Sequence, residues 1–170
     1  IMEMQNVIAE DFDDYVEARA YYEKSLSIDP NNLTALIDLG NVSYNLFDYA
    51  KALEYYRKVE AVHPDNLSIA LQIGQCLARL ENYTDALSYF YKVEYLEKNP
   101  DNARRAIAWC SFVSKKYEEA LKYYHLLISG PSPKAHDWMN MGHVYFAMHQ
   151  IKQSIELYQK AQSFEKSHTM

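Results

Sequence analysis

Two amphipathic patterns joined by a short turn occur in residues 33–66, which read LTALIDLGNVSYNLFDYAKALEYYRKVEAVHPDN. Their apolar residues recur at the i, i+3, i+4, i+7 spacing of an α-helix that buries one face. The two stripes consist of Leu36, Leu39, Val42 and Ser43, and then of Tyr49, Ala52, Leu53, Tyr56 and Val59. Residues 46–48 form the turn between them, and Pro64 ends the second helix because proline cannot continue it. The segment therefore predicts a hairpin of two helices.

The same pattern recurs through the chain at a fixed interval, from residue 40 to 74 to 108 to 142. One series of small residues lies in the first helix of each hairpin, and a second series lies in the second helix. A small residue at each place allows the two helices to approach closely. The two series are Gly40, Gly74, Ala108 and Gly142, and Ala18, Ala52, Ala86, Ala120 and Ser154. A fixed period of 34 residues indicates an array of helical hairpins.

This pattern resembles the tetratricopeptide repeat, and the resemblance covers essentially the whole chain. It implies an all-α fold of the α-α superhelix class, a right-handed solenoid of antiparallel helix pairs. We expect one array over residues 1–170. Its predicted repeats are about 1–32, 33–66, 67–100, 101–134 and 135–168.

Two places depart from the repeat pattern. Gln5 and Asn6 stand where Leu and Gly are expected, so the helix over residues 1–12 is predicted to be irregular or a cap. The acidic run at residues 10–14 is interpreted as the turn of the first hairpin, with an ion site as the less favoured alternative. Pro100 lies two residues late, which predicts that the preceding helix extends to about Lys98 and that the next helix starts late.

The resemblance also implies a concave groove lined by the first helix of each pair. The residues expected to line a peptide-binding groove are Asn41, Tyr44, Asn45, Gln75, Arg79, Arg105, Trp109, Phe112, Met139, His143 and Phe146. The amides would bind the main chain of many peptides, because an amide both donates and accepts hydrogen bonds. Trp109 and Phe112 would provide an aromatic anchor, unless they pack inward because their helix is irregular. Arg79 and Arg105 are expected to pair with an acidic group on a ligand.

The leading hypothesis is a non-catalytic protein–protein interaction module that binds a peptide or partner segment in this groove. The alternative is a scaffold or sensory segment of a larger multidomain protein, since the chain begins with Ile rather than Met. One well-known class within the family grips the C-terminal carboxylate of chaperone tails through a set of Lys, Asn and Arg residues. At the corresponding positions of this chain only Asn41 matches, so that clamp is not expected here.

The charge and hydropathy of the chain disfavour several classes of partner. A formal net charge of −6 disfavours nucleic acid, which needs a basic surface, and anionic membrane surfaces. No apolar run approaches the roughly 20 residues that span a bilayer, and the first residues do not form a signal-peptide pattern. The compartment stays open between cytoplasmic and periplasmic. Apolar surface at the ends of an array leaves a homo-oligomer as one possible assembly.

No combination of residues indicates catalysis or a cofactor. Cys76 and Cys110 occupy equivalent packing positions and are expected to be buried, inert thiols. His136 and His143 are seven residues apart, about 10.5 Å along a helix, which is too far to share one zinc ion. The chain has no glycine-rich phosphate-binding motif. We therefore expect no metal, no cofactor and no enzymatic activity.

Overall fold

The computed structural model describes the backbone of residues 2–169 and the side chains of residues 11–169. Within that range the chain forms nine α-helices and no strand, so the predicted all-α fold is confirmed. The helices are α1 (Met2–Ile28), α2 (Leu33–Asn45), α3 (Tyr49–Val62), α4 (Leu67–Arg79), α5 (Tyr83–Leu96), α6 (Asp101–Val113), α7 (Tyr117–Ile128), α8 (Ala135–Ala147) and α9 (Ile151–His168).

The chain divides into two compact units, residues 1–86 and 87–170, and the division falls inside α5. In the first unit α2 packs on α1 and α3, and α3 packs on α4. Its core contains Leu39, Tyr56, Val59 and Ile73, each almost fully buried. In the second unit α6 packs on α7, α7 on α8, and α8 on α9. Its core contains Ile107, Tyr124, Leu127, Met141 and Val144. Both cores thus consist of the predicted apolar stripes.

Side-chain caps fix the starts of three helices in the first unit. Asn32 Oδ1 accepts a hydrogen bond from the Ala35 amide at 3.1 Å, and Asn66 Oδ1 accepts one from Ile69 at 3.1 Å. Asp48 caps α3 in the same way. Such caps satisfy backbone donors that the first helical turn cannot satisfy itself.

Each hairpin from α2 to α9 turns through a residue with positive φ. These residues are Phe47, Glu81, Lys115 and His149, at the same place in successive repeats, with φ of 61–62°. In each turn the following amide donates back to a carbonyl five residues earlier; Asp48 to Ser43 (2.9 Å) and Lys116 to Ser111 (2.8 Å) are two examples. This is the Schellman arrangement, which usually has glycine at the left-handed position. Here four larger residues occupy it, which costs about 1–2 kcal/mol each.

Helix α1 overturns the prediction of a first hairpin. Residues 10–14, interpreted as a turn, lie inside one continuous helix of 27 residues. Asp13 is the equivalent of Phe47, yet it is helical and does not have positive φ. In the sequence, Asn6 stands where the other first helices have a small residue. The side chains of Gln5 and Asn6 themselves lie outside the described residues.

The predictions around Pro100 are also wrong. Helix α5 ends at Leu96 rather than reaching Lys98, and it is 14 residues long, the same length as α3. Helix α6 begins at Asp101, one full repeat after the start of α4 at Leu67, so it does not start late. Pro100 is the N-cap of α6, and its carbonyl accepts the first helical bond from Arg104 at 2.9 Å. A proline is tolerated there because no amide is needed at a helix start.

The predicted close approach at Gly40 and Gly142 is confirmed, but a tyrosine ring, rather than the small residue of the second series, lies nearest to each glycine. A Cβ placed on Gly40 would overlap the ring of Tyr56. At Gly142 a Cβ would lie 2.6 Å from Tyr158 Cε1. Both tyrosines lie on the second helix of the pair, four residues after the small residue of the second series. The glycine thus makes room for an aromatic ring between the two helices.

Gly40→Ala is expected to lower the free energy of unfolding by about 1–3 kcal/mol, because the added methyl group forces Tyr56 or a helix to move. Urea denaturation of the two proteins measures the change. In a Tyr56→Leu background the same substitution should cost much less. An equal cost in both backgrounds would show that the ring is not what excludes the Cβ.

Lys115→Gly is expected to raise the free energy of unfolding by about 0.5–1 kcal/mol. Glycine removes the left-handed strain but loses more chain entropy on folding, so the gain is smaller than the strain itself. The matched control is Lys122→Gly, because Lys122 is an exposed residue inside α7, where glycine should only lose stability. Thermal unfolding compares the three proteins, and a loss at both positions would contradict the strain argument.

Candidate binding faces of the first helices

In the first unit, the residues predicted to bind a ligand come from α2 and α4. Arg79 Nε donates to the Tyr44 hydroxyl at 3.2 Å, and its guanidinium lies 5.8 Å from the centre of the Tyr49 ring. The Tyr44 and Tyr49 rings meet edge to face at 5.1 Å. The hydrogen bond to Tyr44 raises the pKa of Arg79. These contacts fix the position of an exposed cation, as recognition of an acidic group requires.

The amides of this face differ in how they are held. The Tyr56 hydroxyl donates to Asn41 Oδ1 at 2.6 Å, so the oxygen of that amide is occupied within the protein. Burial raises the pKa of Tyr56, which keeps this donor protonated. Asn45 is exposed and Gln75 is half-buried. Asn41 therefore offers a ligand its amide NH2 group, while its oxygen holds α3 against α2.

In the second unit, large apolar side chains remain exposed on α6 and α8. Trp109 is 38% exposed and Phe146 is 59% exposed, while Phe112 is half-buried at 6.1 Å from the Tyr117 ring. Helix α6 is regular over 13 residues, so the irregularity that would turn Trp109 inward is absent. Partly exposed aromatic side chains are typical of the anchors at protein interfaces.

Met139 and His143 belong to a different feature, a cleft between α8 and α9. The cleft has a volume of about 590 Å³. His143 lies 5.4 Å from Tyr158, ring centre to ring centre, across this cleft. Its lining includes Met139, His143, Ile155 and Tyr158. The predicted site residues of this unit therefore fall into two groups, the aromatic face of α6 and α8 and the α8–α9 cleft.

The prediction that the Arg105 guanidinium pairs with an acidic group on a ligand is wrong. Its Nε and Nη2 donate to the two carboxylate oxygens of Asp137 at 2.8 and 2.9 Å, and Nη2 also donates to the Ser132 carbonyl at 3.0 Å. Two parallel bonds to one carboxylate are the strongest pairing that Arg makes. The guanidinium is thus committed to holding α6 against the start of α8.

Asp137 is a structural residue that the sequence reading missed. It is fully buried, and besides Arg105 it accepts a hydrogen bond from the Lys134 amide at 2.8 Å. Its equivalents in the other first helices are Ala35, Ile69 and Ala103, all apolar. An aspartate at a repeat position that is otherwise apolar, together with an arginine in the preceding repeat, is the sequence signal that would have identified this pair.

The comparisons with known proteins agree with this architecture. Residues 11–93 match the family model of subunit 3 of the anaphase-promoting complex, or cyclosome, and residues 138–168 match a tetratricopeptide-repeat model. No curated protein matches the chain. Among solved structures, MamA is 18% identical with a TM-score of 0.79, over 92% of this chain and 91% of that one. The chain belongs to the tetratricopeptide-repeat family.

Two further structures of the same fold are similar. YrrB, described as a TPR protein with an unusual peptide-binding site, is 24% identical with a TM-score of 0.72 over 96% of this chain and 84% of its own. A chain of the APC/C hetero-tetramer Cut9–Hcn1 is 20% identical with a TM-score of 0.70, over 88% of this chain but 30% of its own. At these identities the likeness shows the fold. Tetratricopeptide repeats of this kind are typical of protein–protein interaction modules.

The two cysteines of this repeat protein are buried, and its described His, Asp and Glu side chains do not cluster around a metal site. Cys76 and Cys110 are buried free thiols, as predicted, and burial raises the pKa of each to about 12. A thiol with so high a pKa forms little nucleophilic thiolate. Among the described side chains no three His, Cys, Asp or Glu residues are placed to hold one metal ion. In the described part of the chain no helix has both the length and the apolarity to cross a bilayer.

Asp137→Ala is expected to destabilise the second unit by about 3–5 kcal/mol, because Arg105 is left as a largely buried, unpaired charge. The double variant Arg105→Met with Asp137→Leu should recover most of that loss, since it removes both charges. Arg104→Ala, which breaks the more exposed pair with Glu94, is the matched control and should cost less. Chemical denaturation measures all three, and a double variant no more stable than Asp137→Ala would contradict this account.

Proposed function

We propose that the protein is a non-catalytic interaction module that binds a peptide or an extended partner segment on the exposed faces of its first helices. The observation that carries the proposal is the exposure of Trp109 and Phe146 on regular helices whose other faces are packed. Interfaces concentrate their binding energy in such aromatic anchors. Proteins of this repeat family are generally non-catalytic interaction modules, which supports the same proposal.

The first unit supports the same function with a different chemistry. Arg79 is held by Tyr44 and Tyr49 and remains exposed, which suits a carboxylate on a ligand. Asn45 is an exposed amide on the neighbouring helix α2 and suits a peptide main chain. We therefore propose two kinds of contact, a polar one in the first unit and an aromatic one in the second.

The alternative, a scaffold or sensory segment of a larger multidomain protein, uses the same faces. One observation favours it, namely the similarity to only part of the longer Cut9–Hcn1 chain. The two proposals differ in what surrounds these repeats rather than in how the repeats bind. Both therefore predict that the exposed face of α6 contacts another polypeptide.

Trp109→Ala is expected to weaken binding by about 2 kcal/mol, or roughly 30-fold in affinity, if Trp109 is the anchor. A library of random displayed peptides can be selected on the wild-type protein, so the native partner need not be known. The selected peptides are then measured against Trp109→Ala and against Tyr95→Ala. Tyr95 is a matched control because it is an exposed aromatic residue on α5, outside the first helices.

Peptides that lose affinity for Trp109→Ala and keep it for Tyr95→Ala would support the proposed face. Peptides that bind the folded Trp109→Ala variant as tightly as wild type would contradict it. A parallel measurement with Arg79→Ala tests the polar contact. It should weaken acidic peptides and leave neutral ones unchanged.

A further inference from the structure

Four side chains of the first unit meet at the turn between α2 and α3, in a group that we call the Arg79 cluster. They are Tyr44 near the end of α2, Phe47 in the turn, Tyr49 at the start of α3 and Arg79, the last residue of α4. The Tyr49 ring meets Tyr44 at 5.1 Å and Phe47 at 6.3 Å, both edge to face. The Arg79 guanidinium lies over the same ring at 5.8 Å. One surface therefore carries a cation and an apolar ring side by side.

Phe47 is the member of the cluster that the fold does not require. Its side chain is 72% exposed, and its φ of 62° is a backbone conformation in which a side chain is unfavourable. The other turns of this kind have polar residues at the same place, namely Glu81, Lys115 and His149. An exposed ring contributes little burial energy to folding. A contact with another molecule accounts for an aromatic residue here.

The equivalent hairpin of the second unit shows which of these groups belong to the repeat itself. There Phe112 and Tyr117 form the same ring pair, with centres 6.1 Å apart. Phe112 has no hydroxyl, Lys115 stands in the turn, and Ala147 occupies the position of Arg79. The ring pair is thus common to both units. The hydroxyl, the arginine and the exposed phenylalanine are additions to it in the first unit.

The hydrogen bond between Arg79 and Tyr44 leaves donors for a ligand. Arg79 Nε donates to the Tyr44 oxygen at 3.2 Å, so the proton of that hydroxyl is left to be donated to another acceptor. Arg79 is exposed, and its terminal nitrogens carry its remaining N–H donors. Donors of this kind suit a carboxylate, because its two oxygens can accept from both groups at once.

The charge of the cluster favours a carboxylate over a phosphate group. Arg79 brings one positive charge, and the residues that contact it, Tyr44 and Tyr49, are neutral. A carboxylate has a single negative charge, whereas a phosphorylated side chain carries about −1.5 to −2 at pH 7. One guanidinium balances the first and leaves the second partly uncompensated.

We propose that the Arg79 cluster binds an Asp or Glu side chain that lies within about three residues of an apolar side chain, in an extended segment of a partner protein. The carboxylate accepts from the Arg79 guanidinium and the Tyr44 hydroxyl, and the apolar side chain covers Phe47. Arg79 and Phe47 contact the same Tyr49 ring, and an extended chain covers such a distance in a few residues at about 3.3 Å each. The proposal rests on the proposed interaction function and specifies its polar contact.

The acidic stretch of α1 in a second copy of the chain is a poorer ligand. Phe12 is 47% exposed there, with Asp11 and Asp13 on either side of it in the sequence. This stretch is helical, and adjacent residues of a helix do not face the same side. The residues beside Phe12 on the helix surface are Tyr15 and Val16, neither of which is acidic. An extended segment, whose alternate side chains share a face, fits the cluster better.

The test uses peptides selected from a random displayed library on the full wild-type chain, and then synthesised. Peptides that Arg79→Ala weakens are expected to contain Asp or Glu within about three positions of an apolar residue. Replacing that acid by its amide should weaken binding to wild type by about tenfold in fluorescence anisotropy. Phe47→Ser should weaken the same peptides by a similar factor. Tyr44→Phe keeps the ring pair and should weaken the acidic peptides but not their amide forms.

Two control variants lie in the same unit. Arg57→Ala removes an equal charge from an exposed arginine of α3. Val62→Ser removes an apolar side chain that is 59% exposed, at the opposite end of α3 from Tyr49. Both should leave the affinity of the acidic peptides unchanged. A loss with Arg57→Ala as large as with Arg79→Ala would show a general effect of charge and overturn the proposal.

Other results would also contradict the proposal. Acidic peptides that bind folded Phe47→Ser as tightly as wild type would separate the two contacts and overturn it. Affinity that is lost when the peptide C-terminus is amidated assigns the contact to a chain end, and affinity that rises when phosphoserine replaces the acid assigns it to a phosphate; either overturns it. Self-association in light scattering that Arg79→Ala abolishes overturns it in favour of a second copy.

Trp109→Ala distinguishes this proposal from the proposed function. Peptides that depend on Trp109 but on neither Arg79 nor Phe47 would leave the interaction module standing and overturn the Arg79 cluster as a site. Acidic peptides that depend on Arg79 and Phe47 and ignore Trp109 would support the cluster and contradict the aromatic face. A library that yields no peptide bound by the folded chain would overturn both.

Discussion

The close contact between the two helices of a pair is the constraint on which the rest of the structure depends. At Gly40 and Gly142 the absence of a side chain lets the rings of Tyr56 and Tyr158 lie between the helices. The ring of Tyr56 lies against Gly40, and its hydroxyl donates a hydrogen bond to the side chain of the next residue, Asn41. One glycine therefore determines both how near the helices lie and how a surface amide is oriented. This links the packing of the pair directly to the face that we propose for binding.

The junctions between successive pairs are not interchangeable, although the pairs are built alike. The junction at α4 has isoleucines at the two matching positions, whereas the junction at α8 has Arg105 and Asp137. A buried ion pair adds little stability over an apolar pair of the same size, but a mismatch is costly. Such a pair favours one helix over another at a given junction. In an array of similar hairpins, this is a means of keeping each helix in its place.

The sequence predicted the features that repeat and missed those that occur once. The fixed period placed helices α2 to α9 and their cores, because apolar spacing reports which face of a helix is buried. The turn residues were harder, since glycine marks a left-handed turn and Phe47, Glu81, Lys115 and His149 do not. Asp137 was missed because its burial depends on Arg105, far away in the sequence. The same holds for α1, where the pattern predicted a turn that the chain does not make.

Exposure of an apolar side chain has two different origins in this protein, and they have different meanings for function. Met139 and Ile155 are exposed because no described helix lies over α8 and α9, as α8 lies over α6 and α7. Trp109 is exposed although α8, the first helix of the next pair, already packs on α7 and contacts α6. Exposure of the first kind arises because α8 and α9 are the last described helices of the array, so no described helix packs over them. The second kind persists after the array is built, and it is therefore the stronger evidence for a surface that recognises a ligand.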